Sequence, residues 1–227
     1  MTVKKFHMAK QGDDAEILIY DVIGESWFGG VSSATVKAQL DELGPVRDAT
    51  IRINSEGGDI YEGYAIYNHI RNAKIENRIV EIDALAASAA SVIALAGDTV
   101  NMAGNAWFMI HKPITIVAGD DMELERQVLR LRSLNDQAAN IYANHSDMSA
   151  DEALDYMTEE TWWDAEGAKA IGLIDGITNP LKVAAQLDPS RFKHTPPALL
   201  KRVEPALVSS RLASMKRRID RIGARAS

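Results

Sequence analysis

Short apolar runs alternate along the chain with longer stretches in which apolar residues recur every three or four positions. Four runs rich in β-branched residues predict strands, at 17–23, 49–54, 78–85 and 106–112. Helical spacing between and after these runs predicts helices between Ser32 and Gly44, over 59–71, over 122–142, from the capping box Ser149 to Glu152, and between Asp164 and Gly172. This alternation of strands and helices is typical of an α/β fold.

The predicted helix over 122–142 is the longest. Its apolar positions form one stripe, made of Leu124, Val128, Leu131, Ala138 and Ile141. A helix of this length usually packs against another element or another subunit. The uncharged run at 84–97 is too short to span a bilayer and is typical of a buried core helix.

The charge changes sign near residue 180. Residues 1–179 hold 14 basic and 29 acidic side chains, whereas residues 180–227 hold 11 basic and 3 acidic ones. Five of the seven prolines also follow that point, which predicts a linker. We therefore expect a folded domain over 1–179 and a Pro-rich linker with a basic segment over 180–227.

Composition excludes several classes of protein. The net charge of −7 argues against nucleic acid as a partner for the chain as a whole, and the absence of Cys excludes thiolate metal sites and a cysteine nucleophile. The histidines lack the spacing of a metal site, so neither a metal nor another cofactor is expected. The N-terminal residues carry no signal peptide or membrane anchor, which predicts a soluble cytoplasmic protein.

Three stretches are candidates for chemistry. NSEGGD at 54–59 joins a strand to a helix and could expose backbone N–H groups to an anion. AASAAS at 86–91 places Ser88 among small residues at a helix start, and His111 ends the strand in AWFMIHKP. Each also has an ordinary structural explanation: a turn, a helix cap and a half-exposed histidine.

Taken in order, these motifs resemble the proteolytic subunit of the Clp protease. NSEGGD is similar to that family's NSPGG turn, AAS at 86–88 to its nucleophile motif, MIHKP to its histidine motif, and residues 160–177 to the segment that bears its acid. The resemblance implies a serine endopeptidase of repeated βα units, a fold shared with crotonases. It makes Ser88 the nucleophile and His111 the base, with the N–H groups of Gly58 and Ala89 as the oxyanion hole. Counting back along the matched segment makes Glu160 the acid, with Asp164 and Glu159 near enough in sequence to compete for that role.

The resemblance also implies a ring-forming homo-oligomer that acts on protein or peptide substrates, with the long helix contacting the opposite ring. Glu56 stands in place of the usual proline, and Leu85-Ala86 in place of the usual Gly-Gln. Among Clp-like proteins the chain looks most like phage head-maturation (prohead) proteases, which implies a capsid or scaffold partner in the host cytoplasm.

The same residues are compatible with three alternatives. They are a housekeeping Clp subunit served by an ATPase unfoldase, a crotonase-like acyl-CoA enzyme and a catalytically idle scaffold subunit. The basic segment allows two interpretations: a solvated, disordered end, or a partly disordered tail that becomes helical when it docks on an acidic surface. The second rests on apolar residues spaced four and three apart: Val208, Leu212, Met215, Ile219 and Ile222.

Overall fold

The computed structural model describes residues 6–24, 30–185 and 187–200. The strands in these ranges are β1 (Phe6–Gln11), β2 (Asp14–Ile19), β3 (Val46–Ser55), β4 (Ile75–Ala87), β5 (Thr99–Ala103), β6 (Trp107–Ile110), β7 (Thr161–Trp163) and β8 (Gly176–Thr178). The helices are α1 (Ser33–Leu43), α2 (Ile60–Asn72), α3 (Ala89–Ala94), α4 (Asp121–Asn144), α5 (Ala150–Glu159), α6 (Ala165–Ala170) and α7 (Pro197–Leu200). A short 3-10 helix occupies Pro189–Arg191.

One mixed sheet organises the molecule. Its strands run in the order β1-β2-β3-β4-β5-β8, and every pair in this path is parallel except β1 with β2. Strand β4 is long enough to change partners: its first part pairs with β5, and its last residues pair with β6. Strand β7 then adds antiparallel to β6. The predicted α/β fold is confirmed.

Helix starts follow the expected capping chemistry. The Asp59 side chain accepts hydrogen bonds from the first N–H groups of α2, and Ser149 with Glu152 forms a complete capping box on α5. Asp164 caps α6 in the same way, and Gly172 follows that helix with a positive φ. The uncharged run at 84–97 differs from the expected core helix, because its first residues complete β4 and only Ala89–Ala94 is helical.

Only part of the apolar stripe predicted on the longest helix is buried. Ala138 is buried in the core, but Leu124 and Val128 are 42% and 47% exposed. The physical reason is that only the C-terminal half of α4 reaches the body of this chain, where Leu134 and Tyr142 are also buried. No helix in the described ranges has the length and apolar character needed to cross a membrane.

Residues 181–185 and 187–200 depart from the expected linker. Leu187 and Leu199 are fully buried against residues of β4 and β6, and the Asn54 side chain donates to the carbonyl of Ala184. The prolines do not prevent this packing, because the segment needs only irregular backbone and two short helical turns to follow the surface of the sheet. Chain packing therefore continues past residue 180. The apolar pattern over 208–222 lies outside the described residues.

Candidate active site

The register of β4 with β6 brings two of the predicted catalytic residues together. Ala87, the last residue of β4, pairs with Met109 of β6, and the N–H of Ser88 donates to the Met109 carbonyl at 3.0 Å. Ser88 and His111 therefore leave the carboxyl ends of adjacent parallel strands, where α/β folds place their sites. The Ser88 hydroxyl oxygen lies 2.7 Å from Nε2 of His111.

Ser88 occupies a strained turn between strand β4 and helix α3. Its φ of 55° and ψ of −127° lie outside the regions that L-residues favour. Although it holds the N-cap position, its side chain makes no capping hydrogen bond and is directed at the histidine instead. The helix-cap explanation of Ser88 is therefore wrong.

Ser91, one turn further on, has a structural environment. Its side chain is fully buried, donates to the Ser88 carbonyl at 2.6 Å and lies 2.8 Å from the hydroxyl of Tyr142. These contacts satisfy the hydroxyl group inside the core, as buried polar groups require. Ser91 does not contact the histidine.

The Gly57-Gly58 turn lies directly against the Ser88 turn. A Cβ atom at Gly57, whose φ is 84°, would stand 2.5 Å from the Ala87 carbonyl oxygen and 2.8 Å from the Ala89 nitrogen. A Cβ at Gly58 would stand 2.0 Å from the carbonyl oxygen of Ile23. Only glycine permits this approach, which brings the two turns together.

Two backbone donors in these turns have no partner among the described residues. The bridge between Ile23 and Gly58 uses the N–H of Ile23 and the N–H of Asp59, and leaves that of Gly58 unused. The N–H of Ala89 opens α3, where the first N–H groups have no acceptor in their own helix. Both groups are available to an oxyanion.

His111 is half-buried, and its surroundings favour the neutral form of its imidazole. Burial lowers the pKa of its imidazole, and the nearby cations Arg191 and Lys193 lower it further, whereas the negative charge of Glu160 opposes them. A neutral imidazole with its proton on Nδ1 can accept the Ser88 proton at Nε2. The arrangement therefore suits His111 to act as a general base near neutral pH.

Glu160 lies beside His111 but does not hydrogen-bond to it in the described part of the chain. Its backbone is left-handed, with φ 54°, immediately before β7. One carboxylate oxygen, Oε1, accepts from the N–H groups of Lys193 and His194, each at 2.7 Å, and from the Trp162 indole at 3.4 Å. Glu160 thus acts on His111 through its charge.

The glutamate's sequence neighbours have other roles. Asp164 caps α6, because its side chain accepts from the N–H of Gly167 at 2.9 Å. Glu159 contributes its carbonyl oxygen, which lies 3.0 Å from Nδ1 of His194. Of the acids near this position, Glu160 is the one whose charge raises the pKa of His111.

The family model described as Clp protease matches residues 15–180 of this chain. The chain belongs to the Clp protease family. That match covers Ser88, His111, Glu160 and both glycine-turn residues, and it makes the protein a serine peptidase. The family match ends at residue 180, just before the residues that pack on β4 and β6.

Relatives of this Clp-family chain include two named ATP-dependent Clp protease proteolytic subunits. The protein from Bacteroides fragilis is 32% identical over 149 residues, which are 63% of this chain and 71% of that protein. The protein from Deinococcus radiodurans is 31% identical over 140 residues, which are 61% of this chain and 68% of that protein. A variant of ClpP1 from Listeria monocytogenes has a similar structure, with TM-score 0.63 and 25% identity over 72% of this chain and 91% of that one.

Several residues around this Clp-type site were not expected from the sequence. Arg191 lies 2.7 Å from the buried carboxylate of Glu56, and the rings of Phe192 and His111 are 5.9 Å apart. The composition of 180–200 indicated a linker and hid these contacts. The available signal was Glu56 itself, because an acid inside a glycine turn needs a cation or several N–H donors if it is buried.

Proposed function

We propose that the chain is a serine endopeptidase that uses Ser88 as nucleophile, His111 as general base and acid, and Glu160 as the acid that supports His111. The observation that carries this proposal is the 2.7 Å separation of Ser88 Oγ and His111 Nε2, with Ser88 held in a strained turn. A serine hydroxyl is a weak nucleophile unless a base removes its proton. Here the base is within hydrogen-bond distance.

The chemical steps follow from this geometry. Ser88 Oγ attacks the scissile carbonyl carbon while its proton passes to Nε2 of His111, and the carbonyl oxygen becomes an oxyanion. His111 then gives that proton to the leaving amine, and an acyl-enzyme ester remains on Ser88. Water attacks this ester with His111 again acting as base, which releases the second product and restores the hydroxyl group.

The oxyanion is stabilised by the backbone N–H groups of Gly58 and Ala89. Both are unused among the described residues, and the glycine turn brings them beside the nucleophile. A preorganised donor of this kind typically contributes about 3 kcal/mol to transition-state stabilisation. Neither side chain takes part in the reaction.

The working assembly is a ring of copies of this chain, as the family implies. Several large apolar side chains lie exposed just after His111 and on the first half of α4, which suits contact with another copy. They are Ile114, Ile116, Met122, Leu124, Val128 and Leu129. The exposed half of α4 would then contact the opposite ring.

For the biological role, we propose maturation of a phage head, with capsid or scaffold protein as the substrate. Three features support this over a housekeeping role: the GGD turn with its A-I-Y helix, the E-T-W segment, and a basic C-terminal segment beyond the family match. That segment's charge is opposite to that of residues 1–179, and it suits an acidic partner. The site of action would be the host cytoplasm.

The second candidate is a housekeeping Clp subunit that receives unfolded protein from an ATPase. The names of its relatives favour it, since they are ATP-dependent Clp proteolytic subunits. An ATPase partner would then recognise the ring. The two candidates share one active site and differ in the source of substrate.

Proteolysis assays separate the candidates. The purified chain is incubated with casein, with a capsid scaffold protein, and with a folded substrate plus an unfoldase and ATP, each beside Ser88→Ala. Cleavage of scaffold without ATP supports head maturation, whereas cleavage that needs the unfoldase supports the housekeeping role. Turnover of an acyl-CoA without any peptide cleavage would support a crotonase-like enzyme, and a folded chain inert in every assay would be an idle scaffold subunit.

A further inference from the structure

Residues 187–200, here called the C-terminal segment, lie beyond the family match yet contact the catalytic region. Leu187 and Leu199 are buried on an apolar cluster that includes Ala87 and Met109. Ala87 immediately precedes Ser88, and Met109 lies two residues before His111. The segment is therefore fixed to the strands that carry the reacting groups. Two polar anchors add to this apolar contact.

The first anchor joins the segment to the glycine turn. Glu56, 1% exposed, accepts a hydrogen bond from the N–H of Asp188 and forms an ion pair with Arg191 at 2.7 Å. Glu56 immediately precedes Gly57 and Gly58. A charge buried this deeply must be compensated, which makes the ion pair costly to break.

The second anchor joins the segment to Glu160. The N–H groups of Lys193 and His194 both donate to Oε1 of that carboxylate at 2.7 Å. Hydrogen bonds to a charged acceptor are shorter and stronger than neutral ones. They fix one oxygen of Glu160 and so hold its negative charge beside the imidazole.

Between the two anchors, Phe192 packs on the general base. Its ring centroid lies 5.9 Å from that of His111 and 5.3 Å from that of Trp162, the latter in an edge-to-face contact. An aromatic ring in this position limits the motion of the imidazole and excludes water from one side of it. The contacts of Glu56, Arg191, Phe192 and Glu160 thus form one connected network around His111.

We propose that the C-terminal segment is a positioning element of the active site: anchored by the Glu56–Arg191 pair, it holds Glu160 and Phe192 in place around His111. The inference rests on the proposed peptidase function. Arg191 and Phe192 act through the groups they hold, and neither touches substrate in this scheme. The opposing idea is that the segment is an inhibitory cover, and that idea predicts faster cleavage when the anchor is weakened.

The test compares Arg191→Met with three other variants of the full chain. Arg191→Lys keeps a cation that can reach Glu56. Lys193→Met removes the other nearby cation but keeps its backbone N–H. Arg71→Met breaks a remote ion pair to Asp98, and Arg71 is 40% exposed compared with 36% for Arg191. Circular dichroism and native mass establish that each variant folds and assembles like the wild type.

Initial rates on a fluorogenic peptide give kcat and KM for each variant. We expect Arg191→Met to lower kcat about tenfold and to leave KM within about twofold, because a small misplacement of a catalytic group slows the reaction more than it weakens substrate binding. Arg191→Lys should recover most of this loss, and Arg71→Met should match the wild type. Lys193→Met should lose much less kcat than Arg191→Met, because it leaves the anchor in place.

The pH profile gives an independent readout. The charged groups that face His111 are Glu160, Arg191 and Lys193. Loss of the Arg191 cation, together with entry of water when Phe192 loosens, raises the pKa of His111, so the acid limb of kcat/KM moves to higher pH. Phe192→Ala keeps both anchors. It should lower kcat and move the acid limb of kcat/KM to higher pH, which tests the inference even if Arg191→Met does not assemble.

Two results overturn the inference. One is that Arg191→Met and Phe192→Ala have the same kcat as Arg71→Met. The other is that Arg191→Met has a higher kcat than the wild type, which would make the segment an inhibitory cover. The proposed function fails separately. In that case the wild type itself neither cleaves peptide nor reacts with a fluorophosphonate at Ser88.

Discussion

Ser88 and Glu160 both have a positive backbone φ, which L-residues rarely adopt, with values of 55° and 54°. They are the only non-glycine residues with positive φ in the described ranges, and both belong to the site around His111. Such strain costs about 1–3 kcal/mol at each position and persists where the surrounding structure enforces it. Both strained residues belong to the proposed catalytic group.

The first prediction concerns the nucleophile and the base. Ser88→Ala and His111→Ala should each lower kcat by several orders of magnitude, and the double variant should be no worse, because such residues act as a unit. Ser91→Ala is the matched control. It should keep its peptidase activity and lose about 1–3 kcal/mol of unfolding free energy through its buried hydrogen bonds.

Denaturant unfolding and peptide hydrolysis check these outcomes together. If Ser91→Ala abolished cleavage and Ser88→Ala retained it, the nucleophile would be three residues from the proposed position.

The second prediction concerns pH. The base must be neutral to accept a proton, and burial with two nearby cations lowers the pKa of His111. The imidazole therefore stays neutral at pH values somewhat below about 6.5, the ordinary pKa of histidine. We expect the acid limb of kcat/KM to fall below that value, and a limb above it would contradict the assigned surroundings of His111.

The third prediction concerns Glu160. Glu160→Gln keeps an oxygen for the N–H groups of Lys193 and His194 but removes the negative charge that raises the pKa of His111. We expect kcat to fall about ten- to a hundredfold, and the acid limb to move to lower pH. The assembly should stay intact by native mass.

Asp164→Asn is the matched control for this loss of charge. Asn replaces Asp well as a helix N-cap, so α6 should keep its cap and the activity should match that of the wild type. A large loss of activity in Asp164→Asn, with none in Glu160→Gln, would transfer the acid's role to Asp164.

The fourth prediction concerns the glycine turn. Gly57→Ala would force a Cβ to within 2.5 Å of the Ala87 carbonyl oxygen and 2.8 Å of the Ala89 nitrogen, and so displace the oxyanion donors. We expect a loss in kcat of about a hundredfold or more, the size of losing an oxyanion donor. Peptide kinetics measure it directly.

Gly12→Ala controls for backbone strain alone. Gly12 also has a positive φ, of 64°, but it lies in the turn between β1 and β2, and no atom lies within 4 Å of the place that a Cβ would take. It should lose stability of about 1 kcal/mol and keep its activity. Equal kinetic losses in the two variants would mean that strain, and not the position of the donors, explains Gly57→Ala.

Local chemistry allowed much of the fold to be predicted from the sequence. The strands β3 and β4 and the caps at Asp59, Ser149 and Asp164 follow from β-branched runs and capping residues whose effects are local. Strands β1, β5, β7 and β8 were missed, because short edge or late-pairing strands depend on neighbours distant in sequence. The exposure of Leu124 was missed for a related reason, since a helical stripe does not reveal how far the rest of the chain extends.

Around the site, motif order indicated Ser88, His111 and Glu160, which the fold brings together. The sequence could not indicate that residues 187–194 return to this place, because the contacts of Glu56 with Arg191 span 135 positions. A proline-rich composition describes local backbone preference and says nothing about such a distant partner. Glu56, an acid inside a glycine turn, was the one sequence feature that indicated the contact with Arg191.

The most direct test of the peptidase assignment is the intact mass of the chain after treatment with a fluorophosphonate. We expect one adduct per chain, located on Ser88 by peptide mapping, and none in Ser88→Ala; His111→Ala should react far more slowly. A folded wild-type chain that takes no adduct, or takes it on Ser91, would show that Ser88 is not the activated nucleophile.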